Sequence, residues 1–139
     1  MAKPYPPIRY MHQDDPLFWC IMGRFFADSD LRRQLGGPLS STPEYHWLVS
    51  MDGDTVAGFS AIQIRPSGKC EFRHAYVLPD YRNRGINERM IELRIALAVK
   101  QGGAQILTII DPKRKAKYIR HGFIEYGTRG KWQVMRKLL

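Results

Sequence analysis

The sequence predicts an α/β chain of the α+β kind: a mixed, mostly antiparallel central sheet with helices on both faces. Three observations carry this. Asp52-Gly53 lies between two apolar runs, 46–51 and 55–64, which is a strong hairpin signal. A strand-like run at 69–78, an amphipathic segment from Ile86 and a nearly continuous apolar run at 105–110 make a strand–helix–strand unit. Its strands should be parallel and its crossover right-handed. Finally, Val56, Ile62 and Ile64 share one face of 55–64, and Ala57, Phe59 and Ala61 the other. A strand apolar on both faces is one covered on both sides.

The elements follow in order. Residues 1–7 are proline-rich and read as a lead-in arm, and 8–11 as a short edge strand. Asp15-Pro16 is an N-cap followed by proline at the first helical position. Leu17, Phe18, Ile21, Met22, Phe25 and Phe26 then recur at helical spacing, predicting a helix over 16–27. Asp28-Ser29-Asp30 reads as a break and a second cap, with a short helix at 31–35 ended by Gly36-Gly37-Pro38 and a loop to residue 44. After the hairpin, Pro66-Ser67-Gly68 turns the chain into strand 69–78. Met90, Leu93, Leu97 and Ala98, widened by Ile91, Ile95 and Val99, suit a helix over 86–101 lying on a sheet. Gly102-Gly103 ends it, and 105–110 reads as a buried central strand. Pro112 opens a helix at 112–120, ended by His121-Gly122. Strands at 123–127 and 131–137 close the chain around Thr128-Arg129-Gly130.

At 139 residues the chain is expected to form one domain, 1–139, with a real core. No apolar run has the length of a membrane span, and the first residues lack the apolar core of a secretory signal, so a cytoplasmic protein away from membranes is expected. Cys20 and Cys70 both lie in apolar segments and read as buried reduced thiols. Neither they nor the scattered histidines have metal-ligand spacing. The net charge of +9 has three readings: a phosphate-rich cofactor, a nucleic acid or other acidic partner, or a basic surface with no specific partner. The cations concentrate at 82–94, 113–120 and 129–137.

The turn between strand 69–78 and the helix bears most directly on function. A strand–turn–helix junction leaves the first helical N–H groups unpaired at the positive end of the helix dipole, a ready site for phosphate. Arg82 and Arg84 add charged donors, and Gly85 allows close approach or positive φ. The run Arg82-Asn83-Arg84-Gly85-Ile86-Asn87, led in by Val77-Leu78-Pro79-Asp80-Tyr81, resembles the pyrophosphate loop of the GNAT superfamily of N-acetyltransferases, Gln/Arg-x-x-Gly-x-Gly/Ala. Asn87 departs from it, standing where the family has Gly or Ala. The element order also resembles that of a GNAT domain, most closely over 69–123.

The resemblance implies acetyl-CoA as cosubstrate, entering where the two parallel strands splay. Its pantetheine arm would follow the strand around 75–78, including Tyr76, Val77 and Leu78, and its pyrophosphate would lie on Arg82, Asn83, Arg84, Gly85, Ile86 and Asn87. It also implies that Tyr118, four residues before Gly122-Phe123 as in the family's Tyr-x-x-x-Gly-Phe ending, protonates the leaving thiolate. Asp111 and Arg114 occupy positions where the family often has Asn and Ala, and Asp111 reads either as an acceptor near the sulfur or, the expected role, as the cap of the helix opening at Pro112. Glu71, six residues before Val77, matches the offset of the catalytic glutamate in histone-acetylating members and equally suits a solvated strand position. His74, on the opposite strand face, is an alternative base. The acceptor is expected to be a small-molecule or protein amine. A nucleobase, as in phage Mom-type enzymes, and a non-catalytic basic nucleic-acid-binding module are the alternatives. A homodimer through the last strands is also implied.

Overall fold

The computed structural model describes residues 5–139; most of the proline-rich lead-in, residues 1–4, lies outside the described residues. In chain order the elements are β1 (Ile8–Met11), α1 (Pro16–Phe26), α2 (Ser29–Leu35), β2 (Tyr45–Asp52), β3 (Thr55–Ile64), β4 (Lys69–Val77), α3 (Ile86–Lys100), β5 (Gln105–Ile110), α4 (Lys115–Arg120), β6 (Ile124–Arg129) and β7 (Trp132–Leu138). Single 3₁₀ turns at Pro79–Tyr81 and Pro112–Arg114 precede α3 and α4. The strands form one mixed sheet in the order β1-β2-β3-β4-β5-β7-β6, with β4 and β5 the parallel pair. The expected fold class is the observed one.

By internal contacts the chain falls into two units, one covering residues up to 61 and 74–87, the other 62–73 and 88–139. The first has an aromatic core. Phe18 and Phe25 from α1 meet Trp47 of β2 and Phe59 of β3, with ring centroids 5.2 Å apart for Phe18–Trp47 and for Phe25–Phe59. Local chemistry sets the helices here: Asp15 accepts from Leu17 N at 2.9 Å, and Asp28 from Asp30 N and Leu31 N at 2.9 and 3.0 Å. Because Asp28 is itself the cap, α2 begins at Ser29, two residues earlier than expected. The helix ends on left-handed Gly36.

In the second unit Ile62, Cys70, Phe72, Ile91, Ala98, Ile106, Tyr118, Phe123 and Met135 form the core. Glu88, in the first turn of α3, ties that turn to the end of α4: His121 Nε2 lies 2.5 Å and Arg120 Nη2 3.3 Å from its carboxylate.

Several expectations are corrected. Cys20 is exposed, because α1 buries Phe18, Met22 and Phe25 and turns Cys20 and Leu17 outward. In α3 the buried row is Ile86, Met90, Ile91, Arg94 and Ala98, and Val99 is 59% exposed. β5 is not buried throughout: Ile106, Thr108 and Ile110 are inside, while Ile109 is 45% exposed. The first hairpin turns one residue later than expected, at Gly53-Asp54, with Gly53 at φ 61°. The last turns at Gly130-Lys131, after β6 runs on to Arg129 through a bulge between Glu125 and Gly127.

Two outcomes follow for stability. A Cβ on Gly103 would stand 2.8 Å from Cys70 Sγ and 2.9 Å from the Ala98 carbonyl, which already accepts the Gly103 N–H at 2.8 Å and is not free to retreat. Gly103→Ala is therefore expected to destabilise by about 1–3 kcal/mol in urea unfolding. The Glu88 carboxyl is held below its ordinary value of 4.5, chiefly by the hydrogen bond from His121, against burial, which raises it. A carboxylate lowered on folding stabilises fully above its ordinary value and ceases to do so as pH falls through the lowered one. Glu88→Gln should melt below the parent at pH 7, and the gap should narrow below pH 4.5; a gap independent of pH would remove the charge from this tie.

Candidate functional site

The parallel pair is the first element of the site. β4 and β5 pair only over Lys69↔Gln105, Cys70↔Ile106 and Glu71↔Leu107. β5 continues beside β7 along its full length, to Ile110↔Gln133. β4 runs on to Val77 with no further β5 partner among the described residues, so the two strands part after three residues.

Within the first unit, β4 leads through the Pro79–Tyr81 turn into the loop before α3. Two residues there hold left-handed backbone, Asn83 at φ 64° and Gly85 at φ 85°. Asparagine tolerates that region and glycine adopts it freely. A Cβ at Gly85 would meet nothing within 4 Å, so its role is conformational, and the space over the turn is open. Both arginines fold back on the loop. Arg82 Nε donates to the Val77 carbonyl at 2.9 Å, its guanidinium 5.5 Å from the Tyr76 ring centre. Arg84 donates to the Asp80 carbonyl at 3.2 Å and lies 5.2 Å from the Tyr81 ring centre. Tyr81 in turn donates to Asp52 at 2.8 Å, which raises the phenol above its ordinary value. The residues expected to bind pyrophosphate thus come together in one turn, with Ile86 buried beneath and Asn87 in the first turn of α3. An open glycine turn at a helix start, with two cations beside it, fits the diphosphate of a CoA thioester.

A cavity of about 320 Å³ lies in the same unit, lined by Arg24, Phe25, Asp28, Asp30, Gln34 and Tyr76 among others. Tyr76 donates to Gln34 at 3.3 Å across it. Asp28 is partly used as the α2 cap, and Asp30 pairs with Arg33.

Of the expected bases, His74 stacks on Trp47 at 5.7 Å and its Nε2 takes the Ser40 N–H at 3.2 Å, in the tautomer with the proton on Nδ1. Glu71, in the second unit, faces three cations: Arg73 at 3.0 Å, Arg65 at 3.4 Å and Lys69 at 3.8 Å. Asp111 accepts from Lys113 N at 3.0 Å and caps the turn before α4.

Tyr118, also in the second unit, is 6% exposed and packs edge-on against Phe123 at 5.6 Å. Its hydroxyl is hydrogen-bonded to Arg94, a residue that sequence reasoning missed. Arg94 is 1% exposed; its guanidinium lies 3.8 Å from the Phe72 ring centre and makes long bonds of 3.4 Å to the Arg73 and Met90 carbonyls. Burial pushes it down to about 10, so it is charged at neutral pH. A signal was present: Arg94 lies four residues from both Met90 and Ala98, in the middle of the apolar row.

Comparison with known proteins adds the family. A family model described as an acetyltransferase (GNAT) domain matches residues 43–125. No curated protein matches. Among solved structures, the GNAT domain of S. lividans PAT superposes with a TM-score of 0.72 at 14% identity, over 95% of this chain and 89% of that one. The N-acetyltransferase PaiA of Thermoplasma acidophilum, in complex with coenzyme A, gives 0.63 at 18% identity, over 93% and 80%. The CoA-dependent acyl-homoserine lactone synthase BjaI gives 0.69 at 15% identity, over 93% and 81%. At these identities the neighbours establish a shared fold, and the family model, spanning more than half of the residues, establishes that the chain belongs to the GNAT acetyltransferase family.

Proposed function

We propose that this protein moves an acetyl group from acetyl-CoA to a primary amine by direct attack, acting in the cytoplasm. The observation that carries the reading is the early parting of β4 from β5, followed by an open glycine turn at the start of α3. Acetyl-CoA would supply the activated acyl group. The α3 amides with Arg82 and Arg84 would hold its diphosphate, and the backbone of β4 beyond Glu71 its pantetheine arm. The neutral amine attacks the thioester carbon, the C–S bond breaks, and the sulfur takes the electron pair. Tyr118 gives that sulfur its proton. Glu71 and His74 are the candidates to accept the proton the amine sheds. Each must first leave a partner, Arg73 in one case and the Ser40 N–H in the other.

The cavity supports a cationic acceptor. Asp28 and Asp30, whose carboxylates also serve the α2 cap and Arg33, line it with Gln34, Phe25 and Tyr76, and Arg24 lies in the same lining over the Phe25 ring. Carboxylates favour an alkylammonium group over a phosphate. A polyamine or a lysine side chain fits this chemistry. The rival acceptor is a nucleobase. It draws on the net charge of +9 and on exposed Lys113 and Arg114 before α4.

Thiol release from acetyl-CoA, measured with spermine, a lysine-bearing peptide and duplex DNA in separate reactions, tests both. Release with spermine or peptide supports the amine reading, and release with DNA alone replaces it. Absence of acetyl-CoA binding by calorimetry, with salt-dependent retention of DNA, would select the binding module. Replacing both Arg82 and Arg84 by alanine is expected to weaken acetyl-CoA binding by about tenfold, the equivalent of one charged hydrogen bond. Unchanged affinity would take the diphosphate away from this loop. Tyr118→Phe is expected to lower kcat by about a hundredfold while acetyl-CoA affinity holds within about a factor of two, the pattern of a lost proton donor.

A further inference from the structure

Arg94 is a buried cation that the reaction scheme above leaves unused. An arginine inside a core is costly unless something recovers the lost hydration. Its surroundings are the face of Phe72, the carbonyls of Arg73 and Met90, and the hydroxyl of Tyr118. Arg73 lies two residues past the last β4–β5 pair, so the guanidinium reaches β4 just beyond the point where the strands part.

A guanidinium can only donate. In its bond with Tyr118 the phenol oxygen is therefore the acceptor, and the phenol's own proton is left to point elsewhere. The charge also faces the oxygen on which negative charge would appear once that proton had gone.

We infer that Arg94 is the positioning residue for Tyr118, setting the phenol so that its proton goes outward to the leaving thiolate and neutralising the phenolate that remains. The inference rests on the reading of Tyr118 as proton donor. The step balances: the C–S bond breaks with its electron pair on sulfur, the Tyr118 proton passes to that sulfur, and the phenolate regains a proton from solvent as the new amide loses one. Arg94 stays protonated throughout and touches no substrate.

The test is a double-mutant cycle on kcat, using thiol release from acetyl-CoA with spermine, or with the peptide if that is the acceptor that turns over. Arg94→Gln is expected to lower kcat about tenfold or more while acetyl-CoA affinity by calorimetry changes less than about twofold. Combined with Tyr118→Phe, it should cost almost nothing further, because the two act as a unit. Arg94→Lys, which keeps the charge, should recover much of the loss, and Arg94→Met, which removes the charge and keeps an apolar stem, carries the same cycle if Arg94→Gln does not fold. Losses that multiply in the double variant would overturn the inference, since a residue that only packs the core lowers both backgrounds alike. Normal turnover in Tyr118→Phe alone would sink the proton-donor reading and this inference with it. Absence of acetyl-CoA binding to the parent protein would sink the acyltransferase reading itself.

Discussion

A strand that leaves its neighbour must find new partners for its backbone, because buried N–H and C=O groups are rarely left unpaired. That constraint governs β4 beyond Glu71. The solutions come largely from arginine: Arg94 donates to the Arg73 carbonyl and Arg82 to that of Val77. On its other side β4 neighbours β3 in the sheet, and just past its end the Leu78 N–H still bonds the Ala57 carbonyl at 2.9 Å. Gly58 makes that close approach possible, since a Cβ there would stand 3.0 Å from the Tyr76 carbonyl. The parting of the strands is thus built into side chains of the loop and of α3, and is not an accident of irregular backbone.

The same economy runs through the charges. Several of the cations are paired with carboxylates at the surface. Arg65, Lys69 and Arg73 surround Glu71, Lys115 pairs with Glu125 at 2.8 Å, and Arg120 joins His121 on Glu88. Those carboxylates are already subtracted in the net charge of +9, so a surplus of cations remains on the chain. In the site, Arg82 and Arg84 lie over tyrosine rings, where a cation is held by the π face without being neutralised. Their charge stays available to an anion in the turn.

Much of this was legible in the sequence because local chemistry decided it. Asp15-Pro16, Asp28 and the residues around Gly53 fix helix starts and a hairpin without help from distant residues. The glycine turn was legible for the same reason. What was not legible depended on tertiary neighbours. Periodicity placed Val99 on the covered face and Cys20 in the core, yet each lies beyond the width of its helix's contact. β5 looked buried along its length because its composition does not reveal that β4 departs after three pairs. The burial of Arg94 was not legible because an arginine in a helix ordinarily reaches water, and the groups that receive this one, the Phe72 ring, the Arg73 and Met90 carbonyls and Tyr118, are brought to it by the tertiary fold.

The last hairpin has a consequence for how molecules of this protein behave at high concentration. β6 ends the sheet, and Ile124 and Tyr126 are exposed on it. An edge of that kind invites another chain to add a strand. The bulge between Glu125 and Gly127, with Gly127 at φ 150°, breaks the even spacing that such a strand would need to zip along the full edge. The irregularity works as a guard against fibrous self-association, leaving any pairing of copies across this edge to side chains and not to a continuous ladder.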